Sequence, residues 1–274
     1  MSVDISLVVN GAYQTKSSLH QCERIFSETD SLNLKLGLYK NASCYNADTL
    51  EGIGGKVLFF DKDAVLAELL EISGRRVVNS SDAIKLSDSK ALTYARVTGQ
   101  VKVPETFVLP KIYKGKQEFD SLPLAYPIVI KEAYGSLGAG VFLASNEAEA
   151  RAIFKKIGSK DAIIQEFVAN SIGRSIRVIA IKDKILGAVK FTNPDDFRSN
   201  GALGGTPTAY KLNKKEKKTV ETVMKILGLH YAGIDLFDDG EGTFIEANSN
   251  AYFGKFEAVT GINVARELVL SLSK

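Results

Sequence analysis

Along the first eighty residues, short apolar runs alternate with amphipathic stretches, as strands and helices taking turns would. Ile5–Val9 predicts a strand, and residues 34–39, 57–60 and 77–79 predict three more. Between the first two, Ser18 and Gln21 stand at capping-box spacing before a helix with Leu19, Cys22, Ile25 and Phe26 on one face. Residues 61–73 predict a second helix, with Leu66, Leu69 and Leu70 inside and Gly74 as its stop. This alternation builds a small βαβ-type layer with a partly parallel sheet.

Further on the pattern changes twice. Residues 81–164 predict a helix over 82–97, strands at 106–109, 128–131 and 141–144, and a helix capped by Asn146 with Glu149 three residues on. Ala150, Ile153, Phe154 and Ile157 form the apolar stripe of that helix. From residue 165 strands dominate, at 176–181, 185–191, 232–237 and 243–247, with helices at 213–227 (Gly228 as its stop) and 264–272. The fold class expected is α/β (α+β) in three units, 1–80, 81–164 and 165–274. A chain of 274 residues exceeds the size at which one core usually stops growing.

Composition excludes several classes. A hydrophobic content of 45% and a charged content of 24% are those of an ordinary globular protein. A net charge of +3 is too small for a nucleic-acid binder, and the basic run 211–218 reads as a solvated helix start. No apolar run approaches the roughly 18 residues a membrane helix needs, and the N-terminus lacks a signal-peptide pattern. Cys22 and Cys44 have no metal-binding or redox spacing, so a reduced, cytoplasmic protein is expected. With His20 and His230 the only histidines, neither a zinc site nor a Ser-His-Asp triad is expected.

The chemistry concentrates in three places. Asp235 ends an apolar strand, Glu246 and Asn248 lie on the next, and Asp238-Asp239-Gly240-Glu241-Gly242 supplies turn residues between them. A hairpin folded about that turn brings Asp235 opposite Glu246. Asn248 then shares Glu246's face, while Ile234, Leu236, Ile245 and Ala247 point to the buried one. Facing carboxylates repel unless a cation lies between them, and an all-oxygen donor set suits magnesium shared with substrate phosphates. A solvated polar face is the plainer alternative. Second, Lys131 ends a buried-looking strand before a loop carrying Gly135, Ser136, Gly138 and Gly140. Glycines let backbone N–H groups approach an anion and the lysine supplies a point charge, although a simple tight hairpin reads the same way. The spacing is neither a Rossmann fingerprint nor a Walker A loop. Third, Arg177 alternates with Ile176 and Val178, so it faces away from the packed side. Arg198 and Asn200 stand in the loop Phe197-Arg198-Ser199-Asn200, ahead of Gly204-Gly205. Guanidinium groups in such positions recognise phosphate and carboxylate and neutralise charge in phosphoryl transfer.

Residues 128–140, Gln165-Glu166-Phe167-Val168, Phe197-Arg198-Ser199-Asn200 and Asp235…Glu246-Ala247-Asn248 resemble, in order, the motifs of the ATP-grasp superfamily. Within it they are most similar to the RimK-type glutamate ligases and the LysX-like amino-acid ligases. The resemblance covers residues 80 to 274 and implies an ATP-grasp fold: an N-terminal preATP-grasp domain, and two subdomains that clasp ATP between their sheets. It implies that Lys90 and Lys131 contact ATP phosphates beneath a lid formed by the loop 135–140. It implies that Gln165, Glu166, Phe167 and Val168 form the adenine-reading hinge. Asp235, Glu246 and Asn248 become magnesium ligands, for two ions bridged by Glu246, with manganese an alternative. Arg198 and Asn200 fall at the γ-phosphate and acceptor side, with Arg177 and Lys190 as helpers. The implied reaction joins a carboxylate to an amine through an acylphosphate; the substrates are small-molecule or peptide acids and amines, and homo-oligomers are expected. A small-molecule kinase and a non-catalytic ATP-binding module are the competing readings. The sequence departs from the family pattern at Ser175, at 201–203 and at 249–253, so the resemblance does not carry substrate identity with it.

Overall fold

The computed structural model describes residues 3–109, 124–199 and 204–273. The first part runs β1 (Ile5–Val9), α1 (Lys16–Ser31), β2 (Leu36–Lys40), α2 (Ala47–Gly52), β3 (Lys56–Phe60), α3 (Ala64–Ile72) and β4 (Arg76–Val78). Its sheet has the order β2-β1-β3-β4 and is parallel throughout. Two helices follow, α4 (Ser81–Asp88) and α5 (Lys90–Val97). A second sheet then forms from β5 (Thr106–Val108), β6 (Ile128–Glu132), β7 (Val141–Ala144) and, after α6 (Glu147–Ile157), β8 (Ala162–Glu166). Its order is β5-β8-β6-β7, all antiparallel.

The third sheet contains β9 (Arg174–Ile181), β10 (Lys184–Thr192), β11 (Thr206–Tyr210), β12 (Tyr231–Phe237) and β13 (Phe244–Asn248). Three helices complete the chain: α7 (Lys214–Ile226) before β12, then α8 (Gly254–Thr260) and α9 (Val264–Ser273) after β13. The order is β11-β10-β9-β12-β13, again antiparallel. Both faces of this sheet are covered. On one side Ile176, Val178, Ile234 and Leu236 pack with Val220 and Val223 of α7. On the other, Ile179, Val189 and Tyr231 join Leu268 of α9 and, from the first sheet, Ile5, Leu7 and Leu58 in a single core. Among the described residues no helix is long and apolar enough to cross a membrane.

The expected elements form, with instructive shifts. The capping box of α1 is Thr15 with Ser18, so Ser18 is its third helical residue and not its cap. The buried stripe of α1 is Gln21, Ile25, Glu28 and Thr29, while Leu19 and Phe26 are exposed. Counting apolar residues misplaced this face because its polar members are buried with partners. Gln21 donates to the Ala251 carbonyl at 3.1 Å, and Glu28 accepts from Asn263 at 2.7 Å and Arg266 at 3.2 Å. The helix expected over 82–97 is two helices broken at Ser89, whose hydroxyl caps the second by accepting from Leu92 N–H. Strand β11 and helix α8 lacked a periodic signal, β11 because Thr-Pro-Thr-Ala-Tyr is a polar edge strand with proline.

Candidate active site

The two antiparallel sheets face each other across a cleft. Its walls collect residues far apart in sequence: Lys90 from α5, Lys131 from β6, Gly135, Ser136 and Gly138 from the β6–β7 loop, and Gln165 and Glu166 from β8. Phe167, Val168 and Arg198 add to the same wall, and Asp235 and Glu246 close the far end. Twelve expected site residues thus meet in one place.

The cationic side of the cleft is buried, with Lys90 9% and Lys131 8% exposed. Lys131 donates to Gln165 Oε1 at 2.6 Å. Burial brings its ammonium down to about 8, with Glu246 pulling it back up and Lys90 adding to the fall. Burial likewise lowers Lys90, whose Nζ donates to the Gly135 carbonyl at 3.0 Å. The Gln165 carboxamide is engaged by protein groups on both its atoms. Its amide nitrogen reaches Tyr94 Oη and, at 2.9 Å, Thr106 Oγ1, which orients the carboxamide oxygen toward Lys131. Tyr94 was missed by the sequence reading, although it lies one helical turn after Lys90 and so on the same face of α5.

Gly135, Gly138 and Gly140 all have positive φ (129°, 77° and 72°), a geometry that favours glycine. Gly140 does not line the cleft. Its carbonyl accepts from Glu132 N–H at 2.8 Å to close the hairpin base, and an added Cβ would lie 2.9 Å from the Glu132 side chain. Arg198 is held by Asp196 (2.7 and 3.0 Å) and donates to the Gly138 carbonyl at 2.9 Å, joining the loop to the third sheet. Ser199 Oγ donates to Ser175 Oγ at 2.6 Å and pins the same segment to β9. Asn200 lies outside the described residues.

At the carboxylate end the observed register pairs Asp235 with Glu246 and Gly233 with Asn248. Asn248 Nδ2 donates to Glu246 Oε1 at 3.2 Å, as expected of residues two apart on one face. A register shift after Asp235 pairs Leu236 with Phe244, so Phe244 enters the core and Ile245 turns to the cleft. The expectation that Ile245 is a core residue is therefore corrected. Arg177 lies behind the cleft wall and grips Asp235 with two bonds, at 2.8 and 2.6 Å. Burial raises Asp235 to about 6, Arg177 opposes that rise, and Glu246 adds to it. Burial also tends to raise Glu246, but Lys90, Arg177, Asn248 and Lys131 together bring it below the usual carboxylate range. Lys190 is apart from the cleft lining, paired with Asp238 at 2.8 Å beside Arg174, which binds the same carboxylate at 2.9 Å. Arg174 itself lines the cleft and was not singled out in the sequence.

The donor set fits a hard divalent cation that shares its coordination with a ligand. Asp235, Glu246 and Asn248 offer oxygen donors, whereas no group of three His, Cys, Asp or Glu converges among the described residues. A metal held here completes its shell with other oxygens, as magnesium does with substrate phosphates.

Two antiparallel sheets that close on buried lysines, a glycine loop and paired carboxylates define an ATP-grasp protein. The chain belongs to the RimK-like ATP-grasp family, whose domain model matches residues 85–272. It is 32% identical to the uncharacterized MG012 homolog of Mycoplasma pneumoniae, over 98% of this chain and 99% of that one. It is 31% identical to a probable alpha-L-glutamate ligase of Vibrio cholerae, over 96% of this chain and 92% of that one. The fold is also that of D-alanine–D-alanine ligase from Bacillus anthracis, solved with ATP. That likeness has a TM-score of 0.78 at 16% identity and covers 98% of this chain and 96% of the other.

Proposed function

We propose that this chain is an ATP-dependent ligase that joins a carboxylate to an amine and releases ADP and phosphate. The observation that carries the reading is the meeting, in one cleft, of two buried lysines, a glycine loop, Arg198 and the Asp235–Glu246 pair. Similarity to a probable alpha-L-glutamate ligase supports an amino acid or peptide as a substrate. In this reading residues 1–80, 81–164 and 165–274 act as a preATP-grasp domain and two clasping subdomains. The two free cysteines suit a reducing compartment such as the cytoplasm.

Each group has a task. Phe167 and Val168 flank the adenine, and Lys90 and Lys131 hold phosphate oxygens in place of the Gly135 carbonyl and Gln165 carboxamide they now bind. Asp235, Glu246 and Asn248 would hold magnesium, one ion or two, which supplies charge neutralisation on the phosphates. Arg198 stands where negative charge grows as the substrate carboxylate attacks the γ-phosphate and the ADP oxygen departs. Arg177, bound to Asp235, keeps that carboxylate ionised and aimed. The glycine loop, tied to Arg198, excludes water that would hydrolyse the acylphosphate before the amine arrives.

ADP release from ATP and magnesium, screened against pooled acids and amines, tests the proposal. Release that needs both an acid and an amine supports a ligase, and release with one hydroxyl- or acid-bearing compound alone moves the reading to a kinase. ATP binding without release under any pool overturns the enzyme reading.

A further inference from the structure

The first sheet has an edge that nothing in its sequence blunts. Its order places β2 outermost, bonded to β1 along an unbroken register from Ile5–Leu36 to Val9–Lys40. Sheet edges are ordinarily protected by proline, a bulge, charge or shortness. β4, at the other edge, has three residues and begins with Arg76, and the edge strand β11 of the third sheet contains Pro207. β2 reads Leu-Gly-Leu-Tyr-Lys, with its single charge at the end, and Leu38 at its centre is 48% exposed. Leu38 pairs with Leu7, which belongs to the core shared with Ile25 of α1, so it lies on the α1 face of the sheet.

Helix α1 turns an apolar flank to this edge. Gln21 and Ile25 are buried, and Arg24 and Glu28 reach Glu257, Asn263 and Arg266 on the side of α8 and α9. α9 lies beside β3 and β4, where Lys56 donates to the Ser273 carbonyl at 3.3 Å and Arg76 to that of Ser271 at 3.5 Å. The opposite flank of α1 is therefore the one over β2. At about 100° per residue it carries Leu19, Cys22 and Phe26. Leu19 is 48% and Phe26 40% exposed, while Cys22 and Leu36 pack down onto the core. The charges of α1 also run against its macrodipole. Lys16 opens the helix, Glu28 and Asp30 stand in its last turn, and it has no acid in the first turn and no base in the last. Asn263 and Arg266 answer Glu28. Lys16 and Asp30 are exposed and, among the described residues, have no ion pair.

We propose that a second copy of this chain covers this edge about a two-fold axis, with β2 antiparallel to β2 and α1 antiparallel to α1. Two four-stranded sheets then become one of eight strands, and Leu38 meets its own copy. An axis passing Cys22 and Glu23 sets Leu19 against Phe26 of the partner subunit, and Lys16 against Asp30 of the partner subunit. Both exposed charges thereby gain opposite partners. With α1 about 24 Å long and β2 about 17 Å, the footprint is at the small end of specific interfaces, so the dimer dissociates on dilution. Sedimentation velocity of the full chain across a wide range of concentration tests this. Wild-type protein passes from monomer to dimer as concentration rises. Phe26→Glu and Leu38→Lys each weaken the dimer by about a hundredfold. Lys16→Glu and Asp30→Lys each weaken it by about tenfold, and the two together restore it to within about threefold of wild type. Circular dichroism spectra equal to wild type report that the variants fold. The proposal is overturned by a dimer indifferent to Phe26→Glu and Leu38→Lys, or by a double charge swap that binds no better than its singles. A chain that stays monomeric at several hundred micromolar overturns it as well, and would leave the edge to a different protein.

Discussion

Lys131 and Glu246 each depend on surroundings that no local pattern reports. Lys131, held near 8 by burial, is charged at neutral pH and loses its proton as pH rises above 8. A bound phosphate favours the ammonium, so ATP affinity is full below about pH 8. Above that it falls by up to about tenfold per pH unit until the bound-state value is passed. Calorimetric titrations across pH 7 to 9.5 check this, and Lys131→Met should flatten the profile. Glu246→Ala is expected to abolish magnesium-dependent ADP release with the circular dichroism spectrum unchanged; full activity would sink the metal assignment. Arg198→Ala is expected to lower turnover by about a hundredfold or more while ATP affinity changes little, because its interaction grows with the charge of the transition state. A variant with normal kcat and weaker ATP binding would contradict that role. The chemistry-bearing residue types were legible because glycine, lysine, arginine and carboxylates stand in ordered motifs. Gln165's bonds to Lys131 and Tyr94, and Arg174's place in the cleft, were not, because each depends on strands that meet only in the fold.

Among the elements, the turn before β9 decides where Arg198 stands. Gly173 has φ +63°, donates to the Phe197 carbonyl at 2.9 Å and accepts from Asn193 N–H at 2.8 Å. A Cβ there would lie 2.2 Å from the Asn193 carbonyl oxygen. Gly173→Ala should therefore cost about 2 kcal/mol or more in urea unfolding, from strain and displaced backbone. Turnover should fall as well, because the Arg198 segment moves. An alanine variant with wild-type stability would show that the turn is more pliable than its contacts imply. The β12–β13 hairpin was readable from its two apolar runs and the turn residues between them, and its Asp235–Glu246 pairing follows from symmetry about that turn. The bulge that exchanges Phe244 for Ile245 was not readable, since a one-residue irregularity leaves no mark on the apolar pattern.

The whole molecule is joined by a core that ignores the boundaries suggested by the chain's patterning. Ile5, Leu7 and Leu58 of the first sheet pack with Tyr231 of β12 and Leu268 of α9, and Asn79 is the polar strut of the same junction. Its carboxamide satisfies two carbonyls at 2.7 Å and two N–H groups at 2.7 and 3.0 Å. Asn79→Ala leaves those buried groups unpaired and should destabilise the protein by about 3 kcal/mol, read as a lower urea midpoint. A midpoint equal to wild type would mean that water takes over the bonds. By itself the sequence determined the alternation of strands and helices, the order of the ATP-grasp motifs and the hairpin that faces Asp235 with Glu246. Hydrophobic period, turn residues and motif spacing are local, and they survive without the fold. Tertiary structure alone decided that α1 buries Gln21 and Glu28 and that Gln165 serves Lys131. Those outcomes depend on which polar group meets which partner across long separations, and burial becomes affordable only once that partner is in place.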